Sequence, residues 1–118
     1  MNWYKLGETY FKQKKYLKAV KAFRKAYEKS DDDLKFKINS LISVGDSLKF
    51  ALEFETADKV YHNALKLAKR SNEPEIISTI QERIDFLYVS EEDNNNIGFL
   101  IKTFMRMISN LAEKKNWF

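Results

Sequence analysis

The sequence predicts an all-α fold in which antiparallel helical hairpins stack side by side. Apolar side chains recur at spacings of three, four and seven residues along most of the chain, and residues so spaced share one face of an α-helix. The 118 residues include only three glycines and one proline, which leaves little sequence for loops. Small residues also recur at a fixed distance along the sequence. The same number of residues separates Gly7 from Gly45 and Ala19 from Ala57, and we call this number the repeat interval. Together these observations predict a repeated pair of helices.

The first hairpin is predicted at the start of the sequence. One helical face holds a tryptophan, a leucine, a glycine and a tyrosine, namely Trp3, Leu6, Gly7 and Tyr10. After a break at Lys14 and Lys15, the face of a second helix holds Ala19, Phe23 and Ala26. Because Gly7 and Ala19 lack bulk, we expect the two helix backbones to approach closely there, with Phe23 filling the space between them.

A second hairpin repeats this pattern, and a third is half visible. The repeated positions are Leu41, Val44, Gly45 and Leu48 in one helix and Ala57, Tyr61 and Ala64 in the next. The aspartate run that ends at Asp33 supplies a cap for the third helix, and Pro74 suits the first turn of the fifth. The third unit keeps only the isoleucines of the first-helix spacing, Ile77, Ile80 and Ile84. Gln81 takes the place of the glycine, so this unit is degenerate.

We expect one domain over residues 1–118. Six helices are predicted at roughly 2–14, 16–29, 32–50, 54–71, 74–89 and 96–115. They form a first repeat (1–30), a second repeat (31–72), a degenerate third unit (73–93) and a long amphipathic C-terminal helix (94–118). No low-complexity stretch between them is long enough to separate domains.

The last helix carries a broad apolar face. Its large apolar residues include Phe99, Leu100, Phe104, Met105 and Met107, and Trp117 lies near the end of the sequence. A repeat array needs an element that covers the exposed face of its last unit, so capping is the simplest role for this helix. The alternatives are a face that binds another copy or a partner helix, and a helix that lies on a membrane surface.

Composition and motifs argue against catalysis. The chain has no cysteine and a single histidine, His62, so neither a disulfide framework nor a histidine-based metal site is expected. The sequence contains no glycine-rich phosphate loop, nucleophile elbow or metal-binding motif. Its apolar runs are too short to span a membrane, and the N-terminal residues lack the pattern of a signal peptide. We therefore expect a cytoplasmic protein without a cofactor and without catalytic activity.

The first hairpin resembles the tetratricopeptide repeat family. The seven residues that match the family pattern in register are Trp3, Leu6, Gly7, Tyr10, Ala19, Phe23 and Ala26. Asp31 stands where the family has its closing proline, and the repeat interval exceeds the family period of about 34 by roughly one helical turn. The resemblance covers residues 1–72 well, 73–89 weakly and 97–118 not at all. It implies a short right-handed superhelix of stacked hairpins.

By this resemblance, the first helix of each pair lines a concave groove that holds extended or helical peptides. The inward positions are Tyr4, Glu8, Phe11 and Lys12 in the first unit, Asn39, Ile42, Asp46, Lys49 and Phe50 in the second, and Ser78, Glu82, Asp85 and Phe86 in the third. Glu8, Asp46 and Glu82 then occupy one equivalent position in three successive units. We expect this acidic ladder to favour a segment that carries apolar anchors and lysine or arginine.

One branch of the family has a different pattern. Members that bind the acidic C-terminal tails of heat-shock chaperones place lysine and asparagine where this chain has Tyr4 and Glu8. In the second unit, Asp46 replaces an asparagine of that clamp. Because carboxylates at these positions would repel a carboxylate tail, we predict that the chain does not bind chaperone tails.

A basic stripe is predicted on the second helix. Residues 1–30 hold nine lysines or arginines against two glutamates, a net charge of +7. The stripe consists of Lys14, Lys18, Lys21 and Lys25. A solvated outer face is the simplest interpretation, and contact with nucleic acid or an anionic membrane surface is the alternative.

The sequence thus favours a protein–protein interaction module, a scaffold or adaptor that binds a peptide segment of another protein in its groove. A homodimer built through the last helix is one alternative, and a nucleic-acid or membrane-surface binder that uses the basic stripe is another. The surroundings of Phe104, Met105 and Met107 separate the first two interpretations. Their burial within the chain would make the groove the leading site, whereas their exposure would favour the last helix.

Overall fold

The computed structural model describes residues 1–87 and 104–108. Five helices cover most of the first range: α1 (Trp3–Lys12), α2 (Tyr16–Glu28), α3 (Leu34–Phe50), α4 (Phe54–Ser71) and α5 (Pro74–Asp85). Neither range contains a strand, so the all-α prediction is confirmed. None of the helices described in these ranges is long and apolar enough to cross a membrane.

Side-chain caps define where two of the helices begin. Asn2 precedes α1 and accepts a hydrogen bond from the Lys5 backbone N–H at 3.0 Å. Asp33 precedes α3 and accepts one from the Phe36 backbone N–H, also at 3.0 Å. Each side chain satisfies a donor that has no partner within its own helix, which is the role predicted for the aspartate run. Pro74 is the first residue of α5, where the missing N–H of proline is tolerated.

The turns between the helices use non-glycine residues with positive φ. Lys14 (φ 61°) and Leu52 (φ 67°) lie in the turns that follow α1 and α3, and they are separated by the repeat interval. Asp31 (φ 51°) and Asn72 (φ 55°) follow α2 and α4. Left-handed backbone of this kind reverses the chain direction after a helix. The two hairpins therefore turn in the same way, although lysine and leucine are not favoured at such positions.

In each hairpin, an equivalent contact between a glycine and an aromatic ring holds the two helices together. An ideal Cβ atom on Gly7 would lie 2.6 Å from Phe23 Cδ1, and one on Gly45 would lie 2.5 Å from Tyr61 Cε1. Both distances are too short for two carbon atoms that are not bonded to each other, so neither position has room for a Cβ atom. Each buried ring therefore packs directly on the bare backbone of the partner helix. Each glycine therefore makes room for a ring: Gly7 for Phe23, which the sequence pattern placed in the space between the helices, and Gly45 for Tyr61.

Packing in the first part of the chain runs between helices that are neighbours in sequence. The most extensive contacts are α1 with α2, α2 with α3, and α3 with α4, and the short connections make consecutive helices antiparallel. Because α3 packs on two sides, its buried residues are numerous: Ile38, Ser40, Leu41, Val44, Gly45, Ser47 and Leu48. The buried stripes of α2 and α4 match each other: Ala19, Ala22, Phe23 and Ala26, and Ala57, Tyr61, Ala64 and Ala68.

The chain divides into two compact units, Met1–Ile84 and Asp85–Phe118. In the second unit, Arg106 donates a hydrogen bond from Nη1 to the Asp85 carbonyl oxygen at 3.2 Å, and residues 104–108 are helical. Helix α5 ends at Asp85, earlier than the predicted boundary at residue 89. An acidic residue at a helix C-terminus opposes the helix dipole, which disfavours a further turn there. The remainder of the predicted last helix lies outside the described residues.

Gly7→Ala is expected to lower the free energy of unfolding by up to about 2 kcal/mol. The added methyl group would overpack the contact with Phe23, and overpacking a filled core costs roughly 1–3 kcal/mol. The gain in helix propensity from glycine to alanine offsets only about 1 kcal/mol of that loss. Urea unfolding followed by circular dichroism measures the difference.

A double-mutant cycle with Phe23→Leu tests the cause of the loss. Leucine lacks the ring that meets the new methyl group, so Gly7→Ala should cost less in the Phe23→Leu background than in the original sequence. If both backgrounds lose the same stability, the ring is not responsible for the effect of the substitution.

Candidate functional site

A cleft of about 190 Å³ opens between α1 and α3 in the first compact unit. Its lining comes from three helices: Tyr4, Glu8, Phe11 and Lys12 from α1, Phe23 from α2, and Ser43 and Asp46 from α3. The cleft thus contains all four inward positions predicted on α1 and one of those predicted on α3. Since a cavity of roughly 150 Å³ accepts a molecule of the size of benzene, this cleft has room for one large side chain.

Aromatic side chains form the apolar walls of the cleft. The rings of Tyr4 and Phe23 meet edge to face with 5.1 Å between their centroids. The Tyr4 hydroxyl forms a hydrogen bond with Ser43 Oγ at 3.0 Å, which joins α1 to α3. Phe23 is buried because it also packs on Gly7, so one residue closes the hairpin and lines the cleft. The wall is therefore held in place by the packing of the core.

The polar rim of the cleft carries both signs of charge. Glu8 and Lys12 are exposed and lie one helical turn apart on α1. Asp46 joins them from α3 and is partly exposed. The rim therefore presents two carboxylates and one ammonium group.

Asp46 is also bonded to two further helices. Its Oδ1 atom accepts a hydrogen bond from the Tyr61 hydroxyl on α4 at 2.5 Å. The same atom accepts one from Arg83 Nε on α5 at 3.0 Å, and this contact is an ion pair. Asp46 therefore links α3, α4 and α5, and its charge is partly balanced within the protein.

Burial changes the titration of Tyr61. Loss of hydration raises the pKa of its buried hydroxyl far above the ordinary value of 10.0. The negative charge of Asp46 and the hydrogen bond to it raise this pKa further, whereas the Arg83 guanidinium lowers it. Tyr61 consequently stays protonated, and it donates to Asp46 throughout the physiological pH range.

The two repeats differ at an equivalent pair of positions, an aromatic ring and a carboxylate. Phe23 and Tyr61 are separated by the repeat interval, and Glu8 and Asp46 directly follow the glycines on which these rings pack. In the first repeat the ring has no hydroxyl, and the neighbouring Glu8 is exposed. In the second repeat the ring carries a hydroxyl, and Asp46 accepts its hydrogen bond. A buried tyrosine hydroxyl needs a hydrogen-bond partner. The second repeat therefore uses the Asp46 carboxylate as that partner, whereas the first repeat leaves the equivalent carboxylate of Glu8 exposed.

A cluster of three rings lies beside the cleft. The centroid of Phe11 lies 5.3 Å from that of Tyr16 and 5.4 Å from that of Phe50. Tyr16 and Phe50 are stacked, also with 5.4 Å between centroids. Since Phe50 is exposed, this cluster extends the apolar surface of the cleft from Phe11 towards the C-terminal end of α3.

The other predicted groove residues lie outside the cleft lining. They are Asn39, Ile42, Lys49 and Phe50 on α3, Ser78 and Glu82 on α5, and Asp85 and Phe86, which fall in the second unit. Glu8 and Glu82 are exposed, whereas Asp46 is bonded to Tyr61 and Arg83. The acidic ladder therefore consists of two accessible carboxylates and one that is engaged. A peptide-binding role for the full set stays a prediction.

The basic stripe and the described part of the last helix are exposed. The stripe residues Lys14, Lys18, Lys21 and Lys25 are all exposed, but Lys14 lies in the turn before α2 and not on that helix as predicted. A solvated face and a binding face are both exposed, so the role of the stripe stays a prediction. On the last helix, Phe104 and Met105 are each 63% exposed and Met107 is 50% exposed. Exposure is the condition under which a contact surface on the last helix was expected, and that role stays a prediction. The other residues predicted for that surface, Phe99, Leu100 and Trp117, lie outside the described ranges.

Four residues belong to the site but were absent from the predicted set of groove residues: Phe23, Ser43, Tyr61 and Arg83. Phe23 was predicted only as a core residue of the first hairpin. Ser43 lies three residues before Asp46, so helical spacing alone could have placed it on the same face. Tyr61 repeats the position of Phe23, and its hydroxyl in a buried position calls for a partner. Arg83 is 37 residues away from Asp46, and no local pattern indicates that these two residues pair.

Comparison with known families finds a match over the first hairpin. Residues 1–33 match the family model described as Tetratricopeptide repeat. The first hairpin is therefore similar to that repeat, as its residue pattern predicted. The repeat indicates protein–protein interaction as a general function. Comparisons with curated proteins and with solved structures find no match.

Tyr61→Phe is expected to lower the free energy of unfolding by about 1.5–3 kcal/mol. The variant keeps the ring on Gly45 but removes a buried hydroxyl that donates to a carboxylate, and hydrogen bonds to charged groups contribute about this much. Tyr27→Phe is a suitable control because the Tyr27 ring, rather than its hydroxyl, contacts the Lys37 ammonium group. Equal losses in the two variants in urea unfolding would contradict the role of the hydrogen bond to Asp46.

The same variant also tests the raised pKa of Tyr61. Because folding raises this pKa, the stability that the hydroxyl contributes is complete below the unfolded-state pKa of about 10.0. At higher pH the unfolded chain ionises while the folded chain does not, so the contribution falls. The difference in unfolding free energy between the original protein and Tyr61→Phe should stay level at neutral pH and shrink above pH 10.0. A level difference at high pH would argue against a raised pKa.

Proposed function

We propose that the protein is a non-catalytic interaction module, a scaffold or adaptor that binds a segment of another protein in the cleft between α1 and α3. The observation that carries this proposal is the convergence of five predicted groove residues from two helices on one concave site. A partner segment would cross both helices and place one large side chain between the aromatic walls. We expect the module to need no cofactor and to act in the cytoplasm.

The apolar part of the site supports peptide binding. Tyr4 and Phe11 offer rings to an entering side chain, and Phe50 continues this surface beyond the cleft. Aromatic residues contribute large contact areas and are enriched where proteins bind one another. Because core packing fixes the Tyr4 and Phe23 rings, binding would order few additional side chains of the cleft.

The rim supports a modest preference for basic segments. Glu8 is exposed at the cleft, so its carboxylate is accessible to a cationic side chain that enters there. Glu82 is also exposed, but it lies on α5 outside the cleft lining. Lys12 opposes this attraction because it lies one turn from Glu8. The proposed partner therefore combines an apolar anchor with lysine or arginine, and the apolar anchor contributes most of the affinity.

A pair of matched peptides tests both binding and charge preference. The peptides share the same leucines and differ only in carrying arginine or glutamate between them. We expect the arginine peptide to bind more tightly, and Glu8→Lys to weaken its binding by roughly 5- to 10-fold. Isothermal titration calorimetry measures the affinities.

Glu28→Lys is the matched control for this experiment. Glu28 is exposed on α2 and is not part of the cleft lining, so the substitution makes the same change in net charge elsewhere. Cleft binding predicts a loss for Glu8→Lys alone, whereas a general effect of net charge predicts equal losses. Equal or tighter binding of the glutamate peptide by the original protein would refute the charge preference.

The last helix supports self-assembly as a second candidate function. Phe104, Met105, Met107 and Ile108 are all exposed, so four large apolar side chains occur close together on one short helical stretch. Contiguous exposed apolar surface of this kind marks interaction sites in soluble proteins. A homodimer formed through this helix would remove that surface from water.

Light scattering over a range of protein concentrations tests self-assembly. We expect the average mass to rise from monomer to dimer, and the double substitution Phe104→Asp with Met107→Asp to abolish the rise. Leu17→Asp with Leu52→Asp is the control, because it adds the same two negative charges at exposed leucines outside the last helix. A monomeric mass at every concentration would rule out a homodimer through the last helix.

A further inference from the structure

We propose that Arg83 sets the charge selectivity of the cleft by occupying the carboxylate that a cationic partner side chain would otherwise use. This inference rests on the proposed function, because it assumes that the cleft binds a partner segment. Asp46 pairs with Arg83 in the free protein. On binding, a guanidinium or ammonium group of the partner replaces Arg83 at the Asp46 carboxylate.

Asp46 belongs to the cleft and to the ion pair at the same time. It lines the cleft together with Glu8 and Lys12, and its Oδ1 atom lies 3.0 Å from Arg83 Nε. Arg83 itself is not part of the lining and reaches Asp46 from α5. A ligand that enters the cleft and Arg83 therefore compete for one carboxylate.

The ion pair is accessible enough to exchange. The Arg83 side chain is 41% exposed and that of Asp46 is 25% exposed, so water screens the attraction between them. A partner that is already anchored by an apolar side chain would present its cation at a high local concentration. Exchange then replaces one ion pair by another, so that Asp46 is never left without a cation.

Tyr61 keeps Asp46 in position during the exchange. Its hydroxyl donates to the same Oδ1 atom, and its ring is fixed against Gly45 in the core. The carboxylate therefore retains one hydrogen bond and its orientation when Arg83 leaves. The first repeat has phenylalanine at the equivalent position, so this arrangement is particular to the second repeat.

The charges around the cleft show what Arg83 does to selectivity. Glu8 and Asp46 contribute two negative charges, and Lys12 and Arg83 contribute two positive charges. While Arg83 is paired, these groups balance and the cleft selects mainly by apolar contact. Without Arg83, one negative charge is uncompensated, and basic segments gain affinity relative to acidic ones.

Arg83→Gln in the full chain, titrated with the arginine and glutamate peptides, tests this inference. We expect the arginine peptide to bind roughly 3- to 5-fold more tightly than it binds the original protein, and the glutamate peptide to bind equally or more weakly. Arg70→Gln is the matched control, since Arg70 is exposed on α4 and does not line the cleft. This control loses the same charge and should leave the ratio of the two affinities unchanged.

The double variant Arg83→Gln with Asp46→Asn tests whether the freed Asp46 carboxylate causes the change in affinity. The double variant should return to the affinity ratio of the original protein, because asparagine can still accept from Tyr61 but carries no charge. Should Arg83→Gln not fold, Arg83→Met, which keeps an unbranched apolar stem, takes its place.

The outcomes separate this inference from the proposed function. Peptide binding with an unchanged affinity ratio in Arg83→Gln, or a gain that persists with Asp46→Asn, would overturn the role of Arg83 and leave the interaction module intact. Failure of the original protein and of every variant to bind either peptide would overturn both.

Discussion

The packing of an aromatic ring on a bare glycine backbone is the constraint on which the first compact unit depends. Gly7 and Gly45 leave space that Phe23 and Tyr61 fill, and the alanines of α2 and α4 allow the helices to approach closely enough for these contacts. The site inherits its geometry from the same rings. Phe23 supports a wall of the cleft, and the Tyr61 hydroxyl holds Asp46 at its rim. Core and candidate site therefore cannot be varied independently in this chain.

The fold class follows from local sequence patterns, whereas the pairing of charged side chains at the site does not. Helical periodicity and the repeat interval predict the hairpins because both report which residues share a face. The four cleft residues of α1 were predicted from the resemblance to the tetratricopeptide repeat, in which the first helix of each pair faces the groove. The pairing of Asp46 with Arg83 joins distant residues on different helices, and periodicity carries no information about such a contact. The sequence identifies Asp46 as one of three acids at equivalent positions, and the structure adds that its charge is partly balanced by Arg83.

A single atom accounts for one chemical difference between the two repeats. The hydroxyl oxygen of Tyr61 requires a buried partner, and the residue after Gly45 supplies one. Glu8, the residue after Gly7, has no hydroxyl to bind because Phe23 lacks that oxygen. The Glu8 side chain is therefore exposed. Similar backbones thus present different charges along one face, which shows how a repeated scaffold acquires positions of unequal chemical character.

Neighbour-to-neighbour packing within residues 1–84 also bears on how the chain folds. When most contacts join helices that are adjacent in sequence, little chain entropy is lost before a contact forms, and such topologies fold quickly. Either hairpin can serve as a nucleus from which order spreads to the next helix. Helix α3 contacts α1, α2, α4 and α5 within this range, so resistance to local opening should be highest at α3 and should decline towards α1 and α5.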